Sequence, residues 1–180
     1  MIRDIVKYNQ EFVKQKGYER FITSKYPEKK LAILTCMDAR LTELLPAALG
    51  IKNGDAKIIK NAGGIIAHPF GSVVRSLIIA IMTLGVNQIM VIGHTDCGVK
   101  GLDASTIVED LQARGVSKEK IDMVRFCGVN FEKWLGGFDC ANESIASTIK
   151  ILNEHPLIPS DVEIKGFIMD SVTGELTPVD

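Results

Sequence analysis

Two short apolar runs, far apart in the chain, each end close to side chains that can bind a metal ion. Residues 31–35 lead directly into Cys36, and residues 89–92 are followed closely by His94 and, three positions further, by Cys97. Runs of this length and composition are typical of buried parallel strands. Because ligands of a doubly wound sheet gather beyond the carboxyl ends of its strands, we expect the three side chains to converge there.

One imidazole and two thiolates form a ligand set that favours zinc. Sites with three protein ligands and a fourth position for water are typical of catalytic zinc, whereas structural sites use four protein ligands. Here the fourth position is available for water or for Asp38, two residues after Cys36. A single cysteine or histidine is more typical of an ordinary core residue. At two strand ends, the three together predict a metal site.

The chain around these runs predicts an α/β fold. Strand-like and helix-like segments alternate, and this order is typical of a central, mostly parallel β-sheet flanked by helices with right-handed crossovers. Residues 162–170 alternate before becoming apolar and suit a C-terminal strand at the sheet edge, followed by a turn and a short extension. A further strand is expected at 56–60, and helices are expected at 41–49, 70–84, 103–126 with a break at Gly115, 129–135 and 142–152.

Length and charge are those expected of one domain that acts on a small molecule. Residues 1–180 are expected to form a single domain, and an apolar content of 46% is enough for a core. With 21 basic and 22 acidic residues and no block of like charge, the sequence does not predict binding to nucleic acid or to a membrane surface. Residues 1–17 predict an amphipathic leading helix that packs on its own domain or on a partner subunit.

The sequence predicts a cytoplasmic location. No apolar run reaches the roughly eighteen residues of a membrane span, and charges interrupt the first residues, where a signal peptide would be apolar. Four cysteines are too few for a disulfide scaffold, and in a reducing compartment they favour metal binding. Cys127 and Cys140 have no partner motif and are expected to be thiols of the core or the surface.

Asp38 and Arg40, just beyond the first strand, are the candidate catalytic pair. Thiolate ligands weaken the Lewis acidity of zinc relative to three imidazoles, so another group should assist the ionisation of water. Asp38 is placed to accept a hydrogen bond from that water or to take the fourth position itself. Arg40 can hold the carboxylate with two hydrogen bonds and keep it ionised. The plainer alternative is a helix cap with a surface ion pair, which contributes little.

Two glycines and two histidines complete the candidates. Gly63 and Gly64 follow the strand at 56–60 and favour either a close backbone approach or an ordinary strand-to-helix turn. His68 is a candidate proton relay, although His-Pro is also common in turns. His155 precedes a proline in a polar stretch, so we expect it to be exposed and assign it no role.

Three segments together resemble the signature of the β-class carbonic anhydrases, particularly their short subgroup. They are Cys-Met-Asp-Ala-Arg at 36–40, Asn-Ala-Gly-Gly at 61–64 and Gly-His-Thr-Asp-Cys-Gly at 93–98. The likeness extends over roughly residues 31–170. It is specific because each segment supplies a different part of one site.

The resemblance implies reversible hydration of carbon dioxide to bicarbonate and a proton. It implies one zinc ion per chain, bound by Cys36, His94 and Cys97, and a catalytic pair formed by Asp38 and Arg40. The backbone near Gly63 and Gly64 would line the substrate pocket. The partner implied is a second copy, in a homodimer or a dimer-based oligomer with interlocking helices.

Three alternatives remain open at this point. Close relatives of this family hydrolyse carbon disulfide, and the metal ligands alone do not distinguish the two substrates. A non-catalytic zinc protein or sensor would follow if Asp38 bound the metal and excluded water. A redox role for Cys36 and Cys97 is disfavoured, because they do not form a Cys-x-x-Cys pair and His94 lies near Cys97.

Overall fold

The computed structural model describes residues 1–179, which form a five-stranded sheet with helices on both faces. The strands are β1 (Leu31–Cys36), β2 (Ala56–Asn61), β3 (Gln88–His94), β4 (Glu163–Met169) and β5 (Leu176–Val179). The α-helices are α1 (Ile2–Lys14), α2 (Leu41–Ala48), α3 (Ser72–Leu84), α4 (Ala104–Ala113), α5 (Lys118–Phe126), α6 (Phe131–Leu135) and α7 (Ala141–Asn153). Single turns of 3-10 helix occur at Glu19–Phe21 and Ala62–Gly64.

The strand order is β2-β1-β3-β4-β5, and every pair is parallel except the last. This confirms the predicted α/β class with a mostly parallel sheet. The strand expected at 162–170 is present as β4, but it lies inside the sheet. The C-terminal edge is β5, because a turn held by the Asp170 carboxylate, which accepts hydrogen bonds from the backbone N–H groups of Val172 and Thr173, returns the chain antiparallel to β4.

Strand β1 is buried along its whole length, which explains its uninterrupted apolar sequence. Ala32 and Leu34 point to one face of the sheet and belong to a core cluster that includes residues of α3 and α7. Leu31 and Ile33 point to the other face and belong to a cluster with α2. The period of two along a strand therefore divides this one segment between two layers of core.

Helices α4, α5 and α6 form a smaller cluster of their own. Val108, Ile121 and Phe131 are its buried residues, one from each helix. The predicted break at Gly115 is present, and that glycine has a φ of +93°, which favours a residue without a side chain. The three helices follow β3 and return the chain to α7, which packs on β3 and β4.

Two helices present apolar side chains that nothing in the described chain covers. Helix α1 has no buried residue, and Ile5 on its apolar face is 63% exposed. Helix α3 buries Val74 and Leu77 against the sheet, but Met82 on its outer side is 66% exposed. Among residues 1–179, no helix is both long and apolar enough to cross a bilayer.

His155 is buried, with 5% of its surface exposed, so the expectation of an exposed side chain is wrong. The turn after α7 folds the ring onto the loop before α3. There Nδ1 accepts a hydrogen bond from the Leu157 backbone N–H, Nε2 lies 2.9 Å from the Pro69 carbonyl oxygen, and the ring packs against Phe70. Because Nδ1 accepts, Nε2 is the donor to the Pro69 carbonyl, and the side chain joins the two loops. For Cys127 and Cys140 the sequence left core and surface open, and the structure places both free thiols at the surface.

Candidate metal centre

The parallel sheet brings the three predicted donors together. Cys36 is the last residue of β1, His94 is the last residue of β3, and Cys97 lies in the turn that follows. All three are buried, and their sulfur and nitrogen ligand atoms lie within 4.8 Å of one another. Neighbouring parallel strands end at the same side of a sheet, so residues remote in sequence become neighbours in space.

The spacing of the two thiols fits a shared metal ion. The Sγ atoms of Cys36 and Cys97 are 3.8 Å apart, and both cysteines are free. Two sulfurs, each about 2.3 Å from a tetrahedral zinc ion, stand about 3.8 Å from each other. In a disulfide the separation would be only about 2.05 Å. The spacing of the two sulfur atoms therefore fits two ligands of one metal ion and does not fit a disulfide.

The imidazole of His94 presents a nitrogen to the same place. Its Nδ1 lies 2.8 Å from the carbonyl oxygen of Thr95, which can only accept, so the ring proton belongs on Nδ1. Nε2 is then a buried lone pair, and within residues 1–179 it has no hydrogen-bond partner. Buried polar atoms are seldom left unpaired, and a carbonyl oxygen that accepts a hydrogen bond from the other ring nitrogen is typical of metal-binding histidine. The donor set fits zinc.

The turn that carries Cys97 is hydrogen-bonded to the end of strand β4 and to the residues that follow it. The Thr95 backbone N–H donates to the Met169 carbonyl at 3.0 Å, and the Thr95 hydroxyl accepts from the Ser171 backbone N–H at 2.9 Å. These bonds extend the β3–β4 pairing by one step beyond His94. They were not predictable from the sequence, since Ser171 lies far along the chain in a segment without a motif.

The glycine pair supports the other thiol. The side chain of Asn61 closes the turn after β2 by hydrogen bonds to the backbone of Ile65. At Gly64, where φ is +67°, an added Cβ would lie 2.9 Å from the backbone nitrogen of Cys36. Only glycine permits this approach, so the close-approach alternative for Gly64 describes the structure. The Cα of Gly63 instead faces a side chain that sequence reasoning missed, that of Phe138, which a Cβ would meet at 3.2 Å.

Asp38 lies beside the three donors and is held by Arg40. Arg40 donates from Nη2 to Oδ2 at 2.8 Å and from Nε to Oδ1 at 3.1 Å, and its backbone N–H also donates to Oδ1. These hydrogen bonds hold the pKa of the Asp38 carboxyl well below its usual range, so it is ionised at neutral pH. Oδ2 is 3.8 Å from Nε2 of His94, beyond hydrogen-bonding distance. The carboxylate is thus directed to the guanidinium.

Arg40 has a second acidic partner that the sequence did not reveal. Its Nη1 donates to a carboxylate oxygen of Asp96 at 2.9 Å, and its Nη2 donates to the backbone carbonyl of Asp96 at 2.8 Å. Asp96 lies between His94 and Cys97, and the only signal of its contact was its position inside that segment. The guanidinium therefore joins the loop after β1 to the turn after β3.

His68, the candidate proton relay, lies in the loop before α3. Its side chain is exposed, and its Nδ1 accepts a hydrogen bond from the backbone N–H of Phe70 at 3.0 Å. This contact belongs to the His-Pro turn that the sequence also suggested. The relay role stays a prediction.

Three donors, rather than four, are the number that catalytic zinc sites use, and they leave one position for a reacting water. The fold and the site together therefore define a zinc enzyme of the α/β class.

Comparisons with known proteins identify the family. The sequence profile described as "Carbonic anhydrase" matches residues 31–176. The Bacillus subtilis (strain 168) protein named "Putative carbonic anhydrase YvdA" is 46% identical over 178 residues, which are 99% of this chain and 90% of that protein. The crystal structure of a β-carbonic anhydrase from Trichomonas vaginalis superimposes with a TM-score of 0.90 at 30% identity, covering 99% of this chain and 97% of that one. The chain belongs to the β-carbonic anhydrase family.

One of the more distant relatives has another activity in its name. A carbon disulfide hydrolase of Acidithiobacillus thiooxidans is 32% identical over 158 residues, which are 83% of this chain and 77% of that protein. The identity is well below that of the Bacillus protein, and it covers less of both chains.

We expect Cys97→Ser to lose zinc while Cys127→Ser keeps it. Serine replaces a soft thiolate by a hydroxyl that stays protonated at neutral pH, so one of three ligands is lost. Cys127 is the matched control because it is exposed and outside the cluster. After dialysis, metal analysis should give about one zinc per chain for wild type and the control, and below about 0.2 for Cys97→Ser. Equal zinc in both variants would contradict the assignment of Cys97.

We expect the apparent affinity for zinc to rise with pH. Burial and the neighbouring Cys36 thiol raise the pKa of Cys97 in the metal-free protein, so this thiol is protonated at neutral pH. Zinc binds the thiolate and must displace that proton, so affinity increases at least about tenfold per pH unit below the raised pKa. Competition with a chromophoric chelator of known pH dependence, from about pH 6 to 8, measures this slope. A flat profile would show that the thiol is already ionised.

Proposed function

We propose that this chain hydrates carbon dioxide reversibly to bicarbonate and a proton, on one zinc ion held by Cys36, His94 and Cys97. The observation that carries the proposal is the buried Nε2 of His94, which has no hydrogen-bond partner among residues 1–179 and lies within 4.8 Å of two free thiols whose sulfur atoms are 3.8 Å apart. Zinc bound there supplies a water molecule of lowered pKa, which is the nucleophile that hydration needs near neutral pH. The carbonic anhydrase relatives, which cover nearly the whole chain, support this reaction.

The proposed role of Asp38 is to orient the attacking water. The carboxylate is ionised, so it can only accept hydrogen bonds, and it lies beside the imidazole. Arg40 occupies both of its oxygens from one side and restricts its rotation. Because both carboxylate oxygens are engaged with the guanidinium, Asp38 would not serve as a fourth ligand of a bound zinc ion, which favours an enzyme over a non-catalytic zinc protein.

We propose that the substrate pocket has an apolar wall formed by Val99 and Phe138 next to the backbone of Gly63. Both side chains pack on the core cluster that contains Cys36 and Cys97. Carbon dioxide is small and apolar, so apolar side chains beside the reacting water favour its binding. Bicarbonate is charged and is therefore released to solvent.

Carbon disulfide is the alternative substrate, because a similar scaffold carries that activity in a relative. The higher identity to carbonic anhydrases favours carbon dioxide. A stopped-flow assay with a pH indicator tests hydration on the purified zinc protein, and sulfide release tests carbon disulfide in parallel. Proton release from carbon dioxide that disappears on removal of zinc supports the proposal. Sulfide release without hydration would replace it by the alternative.

A second copy of the chain is the proposed partner, in a homodimer. β-Carbonic anhydrases are oligomeric, and in this chain α1 and the outer side of α3 carry apolar side chains that no other part of residues 1–179 covers. An amphipathic helix with no buried residue gains little by packing on its own chain, but it buries its apolar side on a neighbour. The proposed location is the cytoplasm, supported by four free cysteines and checked by cell fractionation.

Asp38→Asn should keep zinc and lose turnover. The amide is nearly isosteric, but it is neutral and can present an N–H where the water needs an acceptor. We expect kcat/KM for hydration to fall by about 10²–10⁴, the range of a positioned acid–base group, with zinc content unchanged. The matched control is Asp161→Asn, which changes an exposed carboxylate elsewhere in the chain. Full activity in Asp38→Asn would remove the assigned role.

Ile5→Glu should weaken the homodimer. It places a charge in the middle of the apolar side of α1, whose burial against a partner would then cost several kcal/mol. Lys7→Glu is the control, because it changes charge on the polar side of the same helix. Light scattering after gel filtration should give a dimer for wild type and the control, and a larger monomer fraction for Ile5→Glu at low concentration. Identical masses for all three would argue against α1 as the interface.

A further inference from the structure

We propose that Asp96 is a positioning residue, which holds Arg40 from the side opposite Asp38 and so keeps Asp38 turned away from the metal ion. This inference rests on the proposed function, since it concerns the fourth position of that zinc site. It adds a second acidic residue to the Asp38–Arg40 pair.

The geometry of Arg40 is the first observation. Its guanidinium makes four hydrogen bonds, two to the Asp38 carboxylate and two to Asp96. The bonds to Asp96 use both its carboxylate, at 2.9 Å, and its backbone carbonyl, at 2.8 Å. Nη2 is shared between the two aspartates. A planar guanidinium with acceptors on two sides cannot swing out without breaking bonds to both.

The backbone at Asp96 is the second observation. Its φ is +53°, in the left-handed region that residues other than glycine, asparagine and aspartate seldom adopt. This conformation directs the carbonyl of Asp96 to Arg40 in the middle of the turn that carries His94 and Cys97. The turn therefore holds its ring nitrogen, its thiol and the contact with Arg40 in one fixed arrangement.

The exposure of Asp96 and Arg40 indicates that their contact contributes to orientation more than to folding stability. The Asp96 side chain is 85% exposed and that of Arg40 is 42% exposed, so their ion pair adds little to folding stability. A contact of low energetic value that joins the two metal-bearing loops is better explained by orientation. With Asp96 present, the Asp38–Arg40 pair is fixed at both ends. Without the Asp96 carboxylate, Arg40 keeps only the backbone carbonyl on that side, and the pair can turn more easily as a unit.

A turn of that pair would bring Asp38 onto the metal. Its Oδ2 is already 3.8 Å from Nε2 of His94, so a rotation of the carboxylate towards the three donors would bring an oxygen close to a bound metal ion. A carboxylate in the fourth position displaces the reacting water. Asp96 would thus favour the arrangement in which solvent, and not Asp38, completes the site.

Two substitutions separate this role from a local backbone effect, because asparagine and glycine both tolerate a positive φ. Asp96→Asn keeps an amide oxygen that accepts from Nη1, whereas Asp96→Gly removes the side-chain acceptor. Asp161→Asn is the control for loss of an exposed carboxylate. If the contact only shaped the turn, the two Asp96 variants would behave like wild type.

Two measurements do not depend on turnover. In the metal-free protein, the Arg40 Nε–H exchange rate with solvent, read by NMR, should rise about tenfold or more in Asp96→Gly and little in Asp96→Asn. In the cobalt-substituted protein, absorption spectra report the ligands of the metal. At one fixed pH, we expect the spectrum of Asp96→Gly to differ from that of wild type. The spectra of Asp96→Asn and of the control should be the same as that of wild type.

The kinetic result should follow the same order. Asp96→Gly should lower kcat/KM for hydration about 10- to 100-fold with metal content unchanged, which is the effect expected when a group that orients another catalytic residue is lost. Asp96→Asn should retain most of the wild-type kcat/KM. Unchanged exchange and spectra in Asp96→Gly, or loss of metal from both variants, would overturn the proposal. Failure of wild type to hydrate carbon dioxide would overturn the proposed function, while the exchange rates would still decide whether Asp96 holds Arg40.

Discussion

The parallel pairing of β1 with β3 is the constraint on which the site depends. The register aligns Thr35 with Ile92, and the buried Thr35 hydroxyl donates to the Ile92 carbonyl at 2.9 Å. Just beyond this pair each strand delivers a donor, because Cys36 lies one residue after Thr35 and His94 lies two residues after Ile92. A slip of one residue would turn Cys36 or His94 to the opposite face, so the same hydrophobic alternation that fills both layers of the core also fixes the metal-binding geometry. Core and site are specified by a single register.

The cost of this arrangement appears in the metal-free protein. Two thiols and an imidazole are removed from water at the strand ends, and the buried Nε2 has no partner among the described residues. Burial raises the pKa of Cys97, which keeps its thiol neutral and avoids an unpaired buried charge. A divalent ion bound by these residues would reverse both conditions, because it would pair the nitrogen and stabilise the thiolate. Metal binding and folding are therefore linked, with protons as the exchanged species.

The sequence was sufficient for whatever follows from local pattern. Apolar runs ending at Cys36 and His94 predict the converging donors, because strand polarity alone determines where they meet. The sequence could not predict long-range packing. His155 was expected to be polar and exposed because no neighbouring residue indicates that its ring contacts Pro69 and Phe70. Likewise β4 reads as an edge strand because the alternation of its own residues does not reveal that the short β5 will pair outside it. Asp96 has no pattern that distinguishes it from a solvated turn residue.

The glycines and the arginine show how the loops around the site are held in place. Gly64 lets one loop press on the backbone of Cys36, so the first thiol is fixed by sterics. Cys97 is fixed through hydrogen bonds of Thr95 to the end of β4. Arg40 then joins the two loops through bonds that are worth little in free energy, since the guanidinium is half exposed. Orientation needs only enough energy to favour one rotamer over another, a few tenths to about 1.5 kcal/mol. Weak surface contacts can therefore decide the direction of Asp38 even though they contribute almost nothing to holding the fold together.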